Sequence, residues 1–260
     1  MKKSVLIMIF VLLVFTEITL SLPGLKQKRP RPNQYGQVIL NNLSENEGIA
    51  PVVFDHWFHR LQYTCIVCHI DIGFSMETGA SGVTASDNMD GYYCGTCHNG
   101  KDAFPSCKKD VFPEIAAECQ RCHSLNQDVK RKYDFHTVTK DLPRGRFGNG
   151  IDWEKAELAN TIKLQDAIEG VSIKDTFQFV SEDFKVSAKL EGFPDIIFSH
   201  EKHTVWSGCG GCHPDIFTVK KGTTLFTMKE IFDGKYCGTC HGSVAFPLID
   251  CQRCHTTPVQ

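Results

Sequence analysis

The chain has 260 residues, with 28 Lys and Arg against 30 Asp and Glu for a formal net charge of -2, and 22% of its residues are charged. That balance excludes a cationic nucleic-acid binder and supplies no large single-sign field to steer a highly charged partner. What needs explaining is the 13 Cys and 11 His, a Cys content above ordinary usage but below that of a disulfide miniprotein.

Lys2 and Lys3 precede an apolar run over residues 5–15, closed by Thr16-Glu-Ile-Thr19. The run is too short to span a bilayer and fits the core of a signal peptide over residues 1–21, cleaved near Ser21, with an uncleaved N-terminal anchor as the alternative. No Cys lies near residue 20 to carry a lipoprotein anchor, and no later stretch reaches membrane-spanning length. An exported chain without a transmembrane segment after cleavage is therefore expected, and residues 22–51 form an N-terminal extension.

Export permits disulfides, but spacing assigns the cysteines otherwise. Twelve of the thirteen fall into six C-x-x-C-H units. The first three are Cys65-Ile-Val-Cys68-His69, Cys94-Gly-Thr-Cys97-His98 and Cys119-Gln-Arg-Cys122-His123. The second three are Cys209-Gly-Gly-Cys212-His213, Cys237-Gly-Thr-Cys240-His241 and Cys251-Gln-Arg-Cys254-His255. The pattern is that of c-type haem attachment: two thiols add across the haem vinyl groups, and the adjacent imidazole falls on the iron as proximal ligand. Zinc ribbons do not require His beside the second Cys. A dithiol redox site carries one such pair within a βαβ pattern absent here, and a disulfide framework imposes no His rule. Six covalently bound haem c groups are predicted. The mature chain then has about 40 residues per haem, a size that needs covalent or metal staples. The fold class expected is small, mostly irregular/α, haem-cored domains with low regular secondary structure, short N-terminal β hairpins and a largely unfolded apo-protein.

The chain is internally duplicated. Asp90-Gly-Tyr-Tyr-Cys-Gly-Thr-Cys-His98 matches Asp233-Gly-Lys-Tyr-Cys-Gly-Thr-Cys-His241 at eight of nine positions, Ala103-Phe-Pro105 recurs as Ala245-Phe-Pro247, and Cys-Gln-Arg-Cys-His closes both halves. Upstream, Val52-Val-Phe-Asp-His56-Trp-Phe-His59 corresponds to Ile196-Ile-Phe-Ser-His200-Glu-Lys-His203. The halves span residues 52–123 and 196–260, joined by a linker and hairpin segment over 124–195. Within that segment Leu142-Pro-Arg-Gly-Arg-Phe-Gly-Asn-Gly150 reads as a packed loop, and Asp152 as the cap of a helix over residues 153–159. Thr176-Phe-Gln-Phe-Val180 and Phe184-Lys-Val-Ser-Ala-Lys-Leu190 alternate as a hairpin would. An eleven-residue excess between the second and third motifs of the first half holds Cys107. This residue is a surface thiol, an intermolecular disulfide partner or a buried Cys; with the other twelve engaged by haem it has no intramolecular partner.

Five His lie outside the motifs: His56, His59, His136, His200 and His203. The paired F-x-H-x-x-H arrangement puts two imidazoles on one side of a helical turn, where they can serve two neighbouring haems.

Each half resembles the trihaem cytochrome c7 domain, a relative of tetrahaem cytochrome c3, on the strength of F-x-H-x-x-H followed by three C-x-x-C-H units. The resemblance implies that His56 lies opposite His69, His59 opposite His98, His200 opposite His213 and His203 opposite His241. The family's third haem takes a His or Met from just before the second motif. Met228, in Phe226-Thr-Met-Lys-Glu-Ile231, is the counterpart opposite His255, with an ordinary core Met as the alternative. Ala85 stands at that place in the first half, which leaves Met89, Met76, His136 or water opposite His123, Met89 first by position; His136 reads equally as a solvated loop residue. The resemblance further implies a low-potential electron carrier of the periplasm or outer surface in anaerobic respiration, with redox proteins or extracellular acceptors as partners. Two alternatives stand beside it. One is a multihaem reductase with an open-coordination haem, for which His123 marks the place; the other is a haem-filament subunit, in which His136 or Cys107 would link chains.

Overall fold

The computed structural model describes residues 29–107, 117–124, 134–173, 182–188 and 191–257. The expected signal peptide lies outside them. The chain divides into a leading segment, Met1–Pro30, and one unit, Arg31–Gln260, that holds both repeats. Regular structure is sparse, as expected: the sheets are two-stranded, and among the described residues the longest helix is His200–Ser207.

In the first repeat β1 (Gln37–Leu40) pairs antiparallel with β2 (Val52–Asp55), Gln37 opposite Asp55. The helix α1 (His56–Arg60) follows β2 directly, then α2 (Ala85–Met89) and α3 (Ala117–Gln120). The joining segment contributes α4 (Phe135–Val138) and α5 (Trp153–Leu158). The second repeat starts on the same plan, with β3 (Phe184–Val186) antiparallel to β4 (Ile196–Phe198), followed by α6 (His200–Ser207), α7 (Met228–Phe232) and α8 (Cys251–Cys254). The strand expected over residues 184–190 is thus realised as its first three residues, and its described partner is the strand that leads into the second His pair. Thr176–Val180 lies outside the described residues. β1 falls in the extension, where Gln37-Val-Ile-Leu40 is too short and too little alternating to announce a strand.

Local chemistry accounts for the short helices. Thr84 and Asp87 form a capping box on α2, and Thr227 and Glu230 form the same box on α7. Asp152 caps α5 as expected, its carboxylate accepting from Lys155 N at 3.2 Å, and the helix ends at Leu158. The turn-rich segment closes as a loop through Gly145 N to Gly150 O at 3.0 Å. Gly95 and Gly238 are obligatory: a Cβ there would stand 1.9 Å from the Asn88 and Ile231 carbonyl oxygens, respectively. The Cys-Gly-Thr-Cys turn therefore packs its backbone onto the helix before it in both repeats.

The protein core sits in the joining segment. Phe135, Leu142, Ile151, Trp153, Ala156 and Ile162 cluster with Trp57 of α1, and Phe58, Leu61, Leu164 and Trp206 pack against them. Trp57 meets Phe135 edge to face at 4.9 Å, a favoured aromatic geometry. Elsewhere in the repeats, the only buried hydrophobic residues described are Val67 and Ile231. Polar ties hold the segment to both sides. Gln165 exchanges backbone bonds with Gln62 and Thr64 at 2.8 and 3.0 Å in the first repeat. Glu154 pairs with Lys202 at 2.5 Å and Arg253 at 3.1 Å in the second, and Asp152 with Arg253 at 3.5 Å.

Trp57→Ala removes the side chain through which the first repeat enters this core. The expected cost is about 3–5 kcal/mol of stability, read by denaturant titration of the haem-loaded protein. A change near zero would contradict the placement of the core.

Candidate haem-binding sites

The first motif runs into a π-helical stretch, Val67–Asp71, and each of the other five is a single helical turn. The His N–H returns to the carbonyl of the first Cys at 2.8 Å in His98, 2.9 Å in His123, His241 and His255, and 3.0 Å in His213. A turn of this size brings both thiols and the imidazole to one side, as attachment to a flat ring requires.

The imidazoles are oriented by one repeated bond. Among the proximal histidines, His69 Nδ1 donates to Phe74 O at 2.8 Å, His98 to Phe104 O at 3.1 Å and His123 to Ala50 O at 2.8 Å. In the second repeat His213 donates to Phe217 O at 2.7 Å, His241 to Phe246 O at 3.2 Å and His255 to Pro194 O at 2.7 Å. The paired histidines follow the same rule: His56 to Gly36 O at 2.8 Å, His59 to Asp55 O at 3.2 Å, His200 to Glu182 O at 2.9 Å and His203 to Ser199 O at 2.7 Å. A carbonyl only accepts, so Nδ1 carries the proton in all ten and the lone pair of a neutral ring is on Nε2, free for a metal. Burial pushes the pKa of His56 and His241 down to about 4, which keeps those rings neutral.

Three expected pairs face each other. His56 and His69 are 6.4 Å apart between ring centroids with planes 2° from parallel, His59 and His98 are 6.4 Å apart, and His203 and His241 are 6.2 Å apart. Two metal–nitrogen bonds of about 2 Å on a common axis, plus a ring radius on each side, span about 6 Å, so each gap admits one iron. The fourth pair is not brought together: His200 packs on Phe184 and Phe198 at 5.3 and 5.0 Å, and no ring contact joins it to His213 among the described residues. The Phe of F-x-H-x-x-H has a role in both halves, with Phe54 against His59 and Phe198 against His203, each at 4.4 Å.

The shortage of buried apolar side chains in the repeats is a second point of fit to a large apolar cofactor. The thiols are a third. Burial pushes those of Cys68, Cys94 and Cys240 up to about 12 and that of Cys237 up to about 11, the reverse of the depressed values of a thiol–disulfide exchange centre. No group of three or more His, Cys, Asp or Glu among the described residues is placed to hold a bare metal ion.

The remaining candidates are placed as follows. Met228 is the first residue of α7 and 42% exposed, and Ala85 holds the equivalent position in α2. Met89 ends α2 and, like Met76, is half-buried. His136 is exposed on α4, its ring edge-on to Phe135 at 5.3 Å. Cys107 forms a disulfide with Cys119, S–S 2.12 Å. This corrects the expectation that Cys107 lacks an intramolecular partner, since the attachment cysteines are themselves within reach of it. Cys119 sulfur can hold that bond or a thioether, not both.

The sequence also concealed the carbonyl acceptors. Ala103-Phe-Pro105 and Ala245-Phe-Pro247 recur because Phe104 and Phe246 both accept from a proximal His and pack on it at 4.2 Å. Arg121 and Arg253, from Cys-Gln-Arg-Cys-His, cover those rings at 3.6 and 4.9 Å.

No described helix is long and apolar enough to cross a membrane. In comparisons with known proteins, the chain is similar to the C-terminal hexahaem fragment of GSU1996, at 26% identity over 89% of this chain and 100% of that one, with a TM-score of 0.27. It is similar also to dodecahaem cytochrome c GSU1996, at 24% identity over 92% of this chain and 54% of that one, with a TM-score of 0.27. No curated protein matches. The family described as cytochrome c7 and related cytochrome c matches residues 52–124 and 196–256, together more than half of the chain. Both stretches run from a paired-His segment through three C-x-x-C-H units, and the chain is a multihaem c-type cytochrome of the cytochrome c7 family.

Proposed function

We propose that the protein binds six haem c groups, three in each half, and carries electrons between them as an exported cytochrome of anaerobic respiration. The observation that carries this reading is the uniform orientation of ten imidazoles, each with Nδ1–H bound to a backbone carbonyl and Nε2 left free. Bound haem iron supplies one-electron exchange. Cys65, Cys68, Cys94, Cys97, Cys119, Cys122, Cys209, Cys212, Cys237, Cys240, Cys251 and Cys254 serve as the thioether anchors. Behind them His69, His98, His123, His213, His241 and His255 are the proximal ligands.

With haem bound, His56, His59, His200 and His203 would hold the opposite faces, three of them already facing their partners across 6.2–6.4 Å, so that protein would supply both ligands to four irons. Filled positions exclude substrate from the metal and suit a carrier rather than an enzyme. Two imidazoles favour the ferric state and a low potential, whereas a thioether from Met228 raises it. Periplasmic or outer-surface location and exchange with redox proteins or extracellular acceptors belong to the same proposal.

A redox titration followed by optical and paramagnetic resonance spectra should resolve six haems, four of them low-potential and bis-imidazole, with one or two higher. Carbon monoxide should leave the ferrous protein spectrally unchanged at those four. Rapid stoichiometric binding at the His123 haem would instead favour the reductase reading. In Met228→Ala one potential should fall and one haem should turn high-spin, because Ala leaves that face of the iron to water; six unchanged potentials would remove Met228 as a ligand. A thioether at Cys119 excludes the bond to Cys107, so a chain with all six haems attached carries Cys107 as a free thiol. One thiol per haem-loaded chain, located at Cys107, should then react with an alkylating reagent under denaturing conditions, and an unreactive chain would mean that Cys119 is not attached.

A further inference from the structure

The two halves meet around Arg60, the last residue of α1, which follows His59 in the chain. Its guanidinium carbon lies 4.7 Å from the ring centroid of Trp153 in the joining segment and 4.5 Å from that of Trp206 in the second half. Nη1 donates to Val244 O at 3.0 Å, in the loop just after the fifth motif. Nε is buried without a hydrogen-bond partner. No carboxylate lies within ion-pair distance of Arg60 among the described residues.

The same junction carries other close approaches. Tyr35 donates its hydroxyl to Ala245 O at 2.5 Å. Cβ atoms added at Gly208 and Gly210 would stand 3.3 and 3.5 Å from Ile66 and Ile70, so the fourth motif lies directly against the first. His56 stands one turn before Arg60 on α1, and His241 lies three residues before Val244, whose carbonyl accepts from the Arg60 guanidinium: one ligand from each half. A guanidinium cannot be deprotonated near neutral pH, and the phenol of Tyr35 titrates well above it. At neutral pH the cation therefore persists beside a neutral phenol. Cys65 and Cys240, the other groups that face it, carry no charge once their sulfurs are thioethers.

A half-buried cation with no carboxylate partner and a buried, unbonded Nε is costly, and a stack between two indoles offsets only part of that cost. A fixed positive charge in such surroundings favours whichever state of a neighbouring redox group is less positive. We propose that Arg60 clamps the two halves together and raises the potentials of the two haems beside it, one in each half: that between His56 and His69 and that between His203 and His241. This role rests on the six-haem reading above and makes Arg60 a positioning residue for transfer from one half to the other.

The test is made on the fully haem-loaded protein, with haem count by intact mass and individual potentials by titration followed by paramagnetic NMR. Arg60→Met should lower those two potentials by roughly tenfold in the ferric/ferrous equilibrium constant, ~59 mV, and leave the others in place. Six haems with every potential unchanged, as pairing of Arg60 with a haem propionate would produce, overturns the proposal, and so does an equal shift of all six. Arg60→Lys keeps the charge and loses the planar stack. It should hold the two potentials while lowering the thermal midpoint, whereas displaced potentials at an unchanged midpoint would count against the clamp. If the unsubstituted protein fails to show six haems, the six-haem reading fails and the role proposed for Arg60 falls with it.

Discussion

An imidazole can bind iron at a chosen point only if its other nitrogen is held, and here the holding group is always a backbone carbonyl. Nδ1–H to carbonyl bonds of 2.7–3.2 Å fix both the tautomer and the ring direction at ten histidines. The acceptors explain much of the irregular chain. Gly36 stands immediately before β1, Ala50 and Pro194 lie two residues ahead of β2 and β4, and Phe74, Phe104, Phe217 and Phe246 lie in the turns that leave the motifs. A long helix or a wide sheet would commit those carbonyls to its own ladder. One-turn helices and two-stranded hairpins leave them available.

The second determinant is the division of the apolar interior. The repeats bury few hydrophobic side chains of their own, and the conventional core lies between them, in residues 135–162 with Trp57. The joining segment is thus a packed body with bonds to both halves. Its acidic helix start at Asp152 and Glu154 engages Arg253, within the last attachment motif itself. Through Arg253 the last C-x-x-C-H unit is tied to the protein core.

The C-x-x-C-H units, the duplication, the paired histidines and the Asp152 cap are legible in the sequence, because each depends on side-chain identity at fixed spacing. Backbone acceptors leave no such trace: Gly36, Glu182 and Pro194 have nothing in common as residue types. β1 was hidden in four residues of the extension, since a two-stranded hairpin needs little periodicity when the next helix fixes it. The hairpin partner of Phe184–Val186 is likewise out of view in the sequence, where Ile196–Phe198 reads only as the lead-in to a His pair. Arg60 resembled any arginine at the end of a short helix, and only the placement of Trp153 and Trp206 on either side distinguishes it. Cys107 reads as partnerless in the sequence because each of the other twelve cysteines falls in a C-x-x-C-H unit. Its bond to Cys119 is visible only once the chain is folded.

The central claim is that iron sits between the paired imidazoles in the orientations their carbonyl bonds impose. Ligand planes that are parallel split the iron orbitals they bond to and give a rhombic low-spin resonance; crossed planes leave those orbitals nearly degenerate and give a strongly anisotropic one. The planes of His56 and His69 are 2° apart, while those of His59 with His98 and His203 with His241 are 59° and 66° apart. Electron paramagnetic resonance of the oxidised protein should therefore contain one rhombic bis-imidazole signal from the first pair and strongly anisotropic signals from the other two. A spectrum with no low-spin bis-imidazole haem, or with all three pairs rhombic, would contradict the account.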